Sequence, residues 1–339
     1  MDVNERYHAI ESQLYPWFEA AWQRVYALHS SGRLPHALII NGPRGIGKMH
    51  FAGFLASLAL CQRGDEKGAC GQCRSCNLLG SSGHPDLFHL HPQDEAGQIK
   101  VDQVRELEKF MHSTAQQGGY RVVLLEPAES MNIAASNALL KTLEEPGQKC
   151  LMLLISHQIG QVLPTIKSRC QRIDCPVPDG AKARDWLSAE LSMESAAAEQ
   201  LLKIVHGAPL QGLVFSSGGA QELRAELFTG LKLILQRKKT GLELAAQLAK
   251  QDLVILLSWL YSLLVDVSKA QQCEDPSLAN GDMRNMIKTL AGRCSVAKLY
   301  ALSDAIQHHR TALVQHQNPN KQLLLEELFL GWQNLIGND

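Results

Sequence analysis

Three groups of residues in this chain have types and spacings that can do chemistry. Gly42, Gly45, Gly47 and Lys48 fall in Gly42-Pro43-Arg44-Gly45-Ile46-Gly47-Lys48-Met49, the G-x-x-x-x-G-K spacing of a phosphate cradle. Glycines let backbone N–H groups close around an anion, and the helix that follows adds partial positive charge at its N-terminus. Lys48 would then reach the outer phosphates of a nucleotide such as ATP. The next position should carry Ser or Thr, whose hydroxyl binds Mg²⁺. Here it is Met49, and a thioether is a poor ligand for a hard, oxygen-seeking cation. The second group is Cys61, Cys70, Cys73 and Cys76, spaced C-x8-C-x2-C-x2-C. Two short C-x2-C turns place thiolates on one side of a tetrahedral ion, and four thiolates make a closed, structural Zn²⁺ site with no open coordination position. His84, His89 and His91 lie nearby but read as surface or strand residues rather than ligands. The third group follows the apolar run 120–125 as Glu126-Pro127-Ala128-Glu129. In a P-loop ATPase the strand here ends in acids, one supporting Mg²⁺ and the next polarising the attacking water. Glu126 supplies one acid; Pro127, in the second position, can neither accept a proton nor orient water.

The bulk of the chain sets limits. Its 339 residues are enough for two or three domains with real cores, and 45% hydrophobic with 20% charged residues describes a globular chain. A net charge of −1 gives no attractive field for nucleic acid, so any contact with DNA requires a local basic patch. Nine cysteines, four of them in one short stretch, argue for a metal rather than a disulfide framework. No basic, apolar leader is evident, and the longest uncharged apolar run, Leu253 to Val265, is too short to span a bilayer. A cytoplasmic protein without membrane contact is expected.

The elements that must position these groups can be read from periodicity. Residues 1–34 have helical spacing, broken near the middle by Tyr15-Pro16-Trp17. Strands are expected at Ala37–Ile40, Leu87–Leu90, Tyr120–Glu126, Leu151–Ser156 and Gln171–Asp174, with helices at Lys48–Leu60, 101–113 and Ala134–Glu145, the last ended by Pro146. Strands alternating with helices argue a parallel, doubly wound α/β sheet. Ser156, a small polar residue at a strand's C-terminal end, sits where such sheets place ligand contacts. After Pro176 strand signals nearly vanish. The expected division is a sheet domain over 1–176 with the zinc module at 61–76, a small helical domain over 177–218, and an all-helical domain over 219–339, with Gly218-Gly219 at the second boundary.

Taken together these residues resemble the delta-prime subunits of the bacterial DNA polymerase III clamp loader, an AAA+ family. The resemblance runs along essentially the whole chain. It is carried by the four-cysteine insertion after the P-loop helix, by Ser136-Asn137-Ala138-Leu139-Leu140-Lys141-Thr142-Leu143-Glu144-Glu145-Pro146, by Ser168-Arg169-Cys170 and by the tail Asn320-Lys321-Gln322-Leu323-Leu324-Leu325-Glu326. The run Ala138–Pro146 is shared with the ATP-hydrolysing gamma/tau subunits and identifies only the superfamily. The resemblance implies a RecA-like AAA+ domain, a helical lid and a collar domain used for oligomerisation. It implies a hetero-pentameric ring with gamma/tau and delta subunits that opens the sliding clamp and places it on primed DNA. The chain would be a stator within a DNA-directed DNA polymerase holoenzyme, with no polymerase or efficient ATPase activity of its own. Arg169 would be an arginine finger given in trans to a neighbour's ATP site, a contribution of about 10³–10⁵ in rate. Without the resemblance Arg169 reads as a surface arginine at a strand start. Motor subunits carry Ser/Thr, an Asp-Glu pair and a second-domain arginine where this chain has Met49, Glu126-Pro127 and Leu210, so nucleotide would bind weakly and not turn over. Two other readings stay open: an active P-loop motor, favoured by Lys48 but opposed by Met49 and Pro127, and a P-loop nucleotide kinase with a zinc-stabilised lid, opposed by the long helical C-terminal third. Lys100 and Arg105, at the start of the 101–113 helix, are candidates for a DNA phosphate or simply a solvated helix end.

Overall fold

The computed structural model describes residues 13–81, 83–93, 97–314 and 319–336. The chain divides into two compact units, with the boundary between Ala183 and Arg184. The first is built on five parallel strands: β1 (Ala37–Asn41), β2 (Leu87–Leu90), β3 (Arg121–Leu125), β4 (Cys150–Ser156) and β5 (Gln171–Asp174), in the order β2-β3-β4-β1-β5. β3 and β4 are buried along their whole length, and their unbroken apolar runs suit strands covered on both faces. β5 is a largely exposed edge strand.

Helices cover both faces of the sheet. On one, Val104, Leu107 and Met111 of α4 (Val101–His112) and Ala135, Leu139 and Leu143 of α5 (Ile133–Glu144) share a core with Ile39, Val123, Leu125, Met152 and Leu154. On the other lies α2 (Lys48–Leu60), which is apolar nearly all round, as a fully enclosed helix must be. α3 (Arg74–Gly80) closes the cysteine-rich insertion, and α6 (Pro164–Lys167) is a single turn before β5.

The N-terminal helix is shorter than its periodicity suggested. Within the described residues Pro16 opens a helix. A 3-10 turn, Pro16–Phe18, leads into α1 (Glu19–Ser30), because proline's fixed φ suits a first helical position. Residues 1–12 of the expected helix lie outside the described residues. Phe18 stacks on Phe51 at 4.9 Å, and Trp22 meets Phe54 edge-on at 4.7 Å, so α1 is anchored on α2.

Beyond β5 the described residues contain helices and no strand. α7 (Gly180–Leu191) crosses the unit boundary. The second unit continues with α8 (Ser195–Ile204), α9 (Pro209–Ser217), α10 (Ala220–Leu235), α11 (Gly241–Leu248), α12 (Leu253–Gln272), α13 (Arg284–Arg293), α14 (Val296–Val314) and α15 (Lys321–Gln333). α12 extends past its uncharged run and, by length and composition alone, is long enough to cross a membrane. In the structure it is a core helix. Leu256, Leu257, Leu260, Leu263 and Leu264 are buried, and the enclosed Asp266 carboxylate accepts the N–H groups of Ala279 and Asn280.

Candidate functional site

The strand order places β1 between β4 and β5, so Asn41 pairs with Ser156 on one side and Asp174 on the other. The glycine loop therefore leaves the sheet at its C-terminal edge, where open α/β sheets bind ligands. Gly42 must be glycine: a Cβ there would lie 2.0 Å from the Cys175 carbonyl oxygen. Gly45 and Gly47 have φ of 82° and 91°, which favour glycine, and Gly47 caps α2. Lys48 is only 3% exposed, and its Nζ donates to the Pro43 carbonyl at 2.7 Å. Burial lowers it from 10.5 to about 8, against the opposing charges of Glu126 and Glu129. The lysine expected to reach outward for phosphates is thus folded back onto its own loop. Trp17 secures the loop from outside by donating its indole N–H to the Ile46 carbonyl at 2.8 Å.

Beside the loop, the ends of β3 and β4 bring together acids and a histidine. Glu129 accepts the backbone N–H of His157 at 2.9 Å, and Glu126 Oε1 lies 3.6 Å from His157 Nε2. Burial, then the charges of Lys48 and Arg44, hold His157 down to about 3, so the ring is neutral and this contact is not an ion pair. Ser156 is fully enclosed and its hydroxyl has no partner; Glu129 Oε2 and His157 Nδ1 are likewise unpaired. Orphaned buried polar atoms beside a glycine loop are what a site for a polar ligand leaves behind. His157 is the residue sequence reasoning missed; its signal was a polar side chain directly after an apolar strand. Pro127 only caps the turn Ala128–Ser130.

The four cysteines converge as their spacing implied. The Sγ atoms of Cys61, Cys70, Cys73 and Cys76 all lie within 4.8 Å of one another, and the closest pairs are separated by 3.5–3.9 Å. A tetrahedral Zn²⁺ with bonds near 2.3 Å requires sulfurs about 3.8 Å apart. Backbone N–H groups of Arg63 and Cys70 point at Cys61 Sγ, at 3.4 and 3.2 Å. At Cys73 burial opposes ionisation, but the N–H groups of Gln62 and Cys76 outweigh it and bring the thiol to about 6, while burial and the neighbouring sulfurs push Cys76 up to about 12. Four thiols so close cannot all ionise unless a cation balances them. The cluster could hold a metal ion such as zinc. His84 departs from the reading of it as a surface or strand residue. It is buried just ahead of β2, with Nε2 2.5 Å from Ser75 Oγ.

Arg169 lies between α6 and β5. One Nη donates to the Thr165 carbonyl at 3.0 Å and the other meets Glu144 at 2.6 Å, with both side chains partly exposed. Leu210 stands near the start of α9 in the second unit. Lys100 is the N-cap of α4, and Arg105, one turn on, pairs with Asp102 at 2.8 Å; the Arg105–Asp102 pair is largely exposed.

Two family models match the chain: "DNA polymerase III, delta subunit" over residues 18–178 and "DNA polymerase III, delta subunit, C terminal" over residues 219–334. The DNA polymerase III subunit delta' of Pseudomonas aeruginosa is 40% identical over 328 residues, covering 96% of this chain and 99% of that one. The chain belongs to the DNA polymerase III subunit delta' family. The Escherichia coli (strain K12) delta' protein is 31% identical over 93% of this chain and 94% of its own length. Among solved structures, a gamma-subunit-related protein of Thermotoga maritima aligns over 94% of this chain and 98% of its own, at 16% identity and a TM-score of 0.46. For this delta' family member, the resemblance first carried by Ser136–Pro146 and Ser168-Arg169-Cys170 extends over nearly the whole sequence.

Proposed function

We propose that the chain is a stator-like, non-hydrolysing subunit of the bacterial DNA polymerase III clamp loader, acting in the cytoplasm in a ring with gamma/tau and delta subunits that loads the sliding clamp onto primed DNA. Family membership supports the clamp-loader role. The observation that carries the non-hydrolysing part is Lys48, buried and bonded to Pro43 within its own loop. Met49 offers no hard ligand to Mg²⁺. Pro127 offers no base, and the acids that remain, Glu126 and Glu129, are turned to His157. The loop amides suit an anion, so ATP or ADP can lodge there, without turnover. Cys61, Cys70, Cys73 and Cys76 hold a structural Zn²⁺.

Arg169 would act next door. The guanidinium is partly exposed, always charged, and held by the exposed Glu144 carboxylate, the Thr165 carbonyl and, at 3.4 Å, the Ser168 hydroxyl, all of which a neighbour's phosphates can displace. Supplied in trans, it stabilises charge that grows on the transferring phosphoryl group. The domain division into 1–176, 177–218 and 219–339 goes with this reading, the last segment serving as the collar. The test is reconstitution with partner subunits, sliding clamp and primed DNA. Arg169→Ala should cut clamp-dependent ATP turnover by about 10³-fold or more at the site it serves, with assembly intact. Equal turnover in wild type and variant overturns the finger assignment. ATP hydrolysis by the isolated chain that vanishes in Lys48→Ala overturns the non-hydrolysing reading.

A further inference from the structure

A buried run of polar contacts leads from the cysteine module into the sheet. Ser75 lies in α3 between Cys73 and Cys76 and is fully enclosed. Its hydroxyl faces His84 Nε2 at 2.5 Å. His84 Nδ1 accepts the backbone N–H of Asp86 at 3.0 Å, which places the imidazole proton on Nε2, donating to Ser75. This excludes a serine nucleophile with a histidine base: the nitrogen facing the hydroxyl already carries a proton, and the hydroxyl is closed to solvent.

The run continues through Asp86, which is fully buried. Its two carboxylate oxygens accept the N–H groups of Gln116 and Gln117 at 2.7 and 2.8 Å, and one lies 3.7 Å from Arg121 Nη2. Arg121, itself buried, covers the Phe110 ring at 4.1 Å and donates to the Phe110 carbonyl and the Ser113 hydroxyl, at the C-terminal end of α4. Hydrogen bonds therefore join the turn between two cysteines to the 113–120 connection, and the Asp86–Arg121 ion pair carries the path on to the end of α4.

We infer that His84 is a positioning residue for the metal module, and that through Ser75, His84, Asp86 and Arg121 metal occupancy sets the order of the 113–120 connection and the end of α4. This rests on the reading that the four cysteines hold Zn²⁺. Groups behind a metal's ligands orient them, and losing one typically costs 10–100-fold in metal affinity. Ser75 is held between two ligating cysteines, so an ion that fixes those cysteines also fixes the hydroxyl that pairs with His84.

The test uses the full chain, with zinc content measured first and Zn²⁺ itself as the probe. Zinc release to a chromophoric chelator and hydrogen exchange by mass spectrometry are then followed. Ser75→Ala should release zinc about 10-fold faster although all four thiolates remain. Chelation of the wild type should raise exchange over 113–121 as well as over 61–80, and in Ser75→Ala the exchange over 113–121 should already be raised and change little. His84→Gln, which keeps a donor toward Ser75, should retain slow release, whereas His84→Ala should not. Zinc bound, but with wild-type exchange over 113–121 indifferent to its removal, or with Ser75→Ala releasing it at the wild-type rate, overturns the coupling alone. A chain that carries no zinc from the outset overturns the metal reading and this inference with it.

Discussion

Replacing Lys48 by methionine should make the protein more stable near neutral pH. The reason is the cost of keeping a charge where water is excluded. Lys48 is 3% exposed and lowered from 10.5 to about 8. That gap corresponds to about 3 kcal/mol by which the fold disfavours the charged amine. The sign follows from proton counting. The unfolded chain binds this proton more tightly than the folded one, so the penalty is fully present below pH 8 and fades as pH rises toward 10.5. Methionine removes the charge but leaves the Pro43 carbonyl without its donor, a loss of about 1 kcal/mol. The expected net gain for Lys48→Met is about 2 kcal/mol at pH 7. By about pH 9.5 only about 1 kcal/mol of the wild-type penalty remains, and the two proteins should be nearly equal. Native-state hydrogen exchange over β1 and α2, compared between the two proteins at each pH, reads the difference directly. A variant less stable than wild type at pH 7, or a difference that does not change with pH, would refute the reasoning. An anion seated in the loop would favour the charged amine, so inorganic triphosphate should stabilise the wild type and not the variant.

Two further outcomes follow from the same structure. Gly42→Ala drives a Cβ to 2.0 Å from the Cys175 carbonyl oxygen and should destabilise by about 2 kcal/mol or more, whereas Gly53→Ala, in α2 with open space at its Cβ, should stabilise by up to about 1 kcal/mol; denaturant midpoints compare them. Reversing charge at both Lys100 and Arg105 should lower DNA-stimulated clamp loading in the reconstituted complex while ring assembly survives; unchanged stimulation retires that face as a DNA contact.

The features legible from residue types were those with a local cause. The strands at Ala37, Arg121 and Cys150 each contain an unbroken apolar run, and the Cys61–Cys76 spacing is itself geometric. What escaped depended on distant partners. Pro16 looks the same in sequence whether it breaks a helix or opens one. That it opens α1 is consistent with Phe18 and Trp22 seating on α2. His84 read as peripheral because nothing in its neighbourhood announces Ser75, nine residues away, as its partner. The retraction of Lys48 onto Pro43 was hidden because the motif specifies where the lysine starts, not where its amine settles. Glu144 gave no hint that it faces Arg169 across β4, the 3-10 turn Ile159–Gln161 and α6. Strand order escaped as well, since alternation fixes the class of sheet but not which crossover returns beside β1.

The tight fit of Gly42 under Cys175 has a mechanical consequence. Cys175 is where the polypeptide leaves its last strand, and its own N–H is tied to the Asn41 carbonyl at 2.7 Å. The outgoing thread and the first residue of the glycine loop thus touch backbone to backbone, with no side chain between them to absorb slack. A pull on the downstream segment that drags Cys175 by a fraction of an ångström must bend the loop or break that bond. The exit from the sheet is in this sense a lever whose short arm rests on the loop itself.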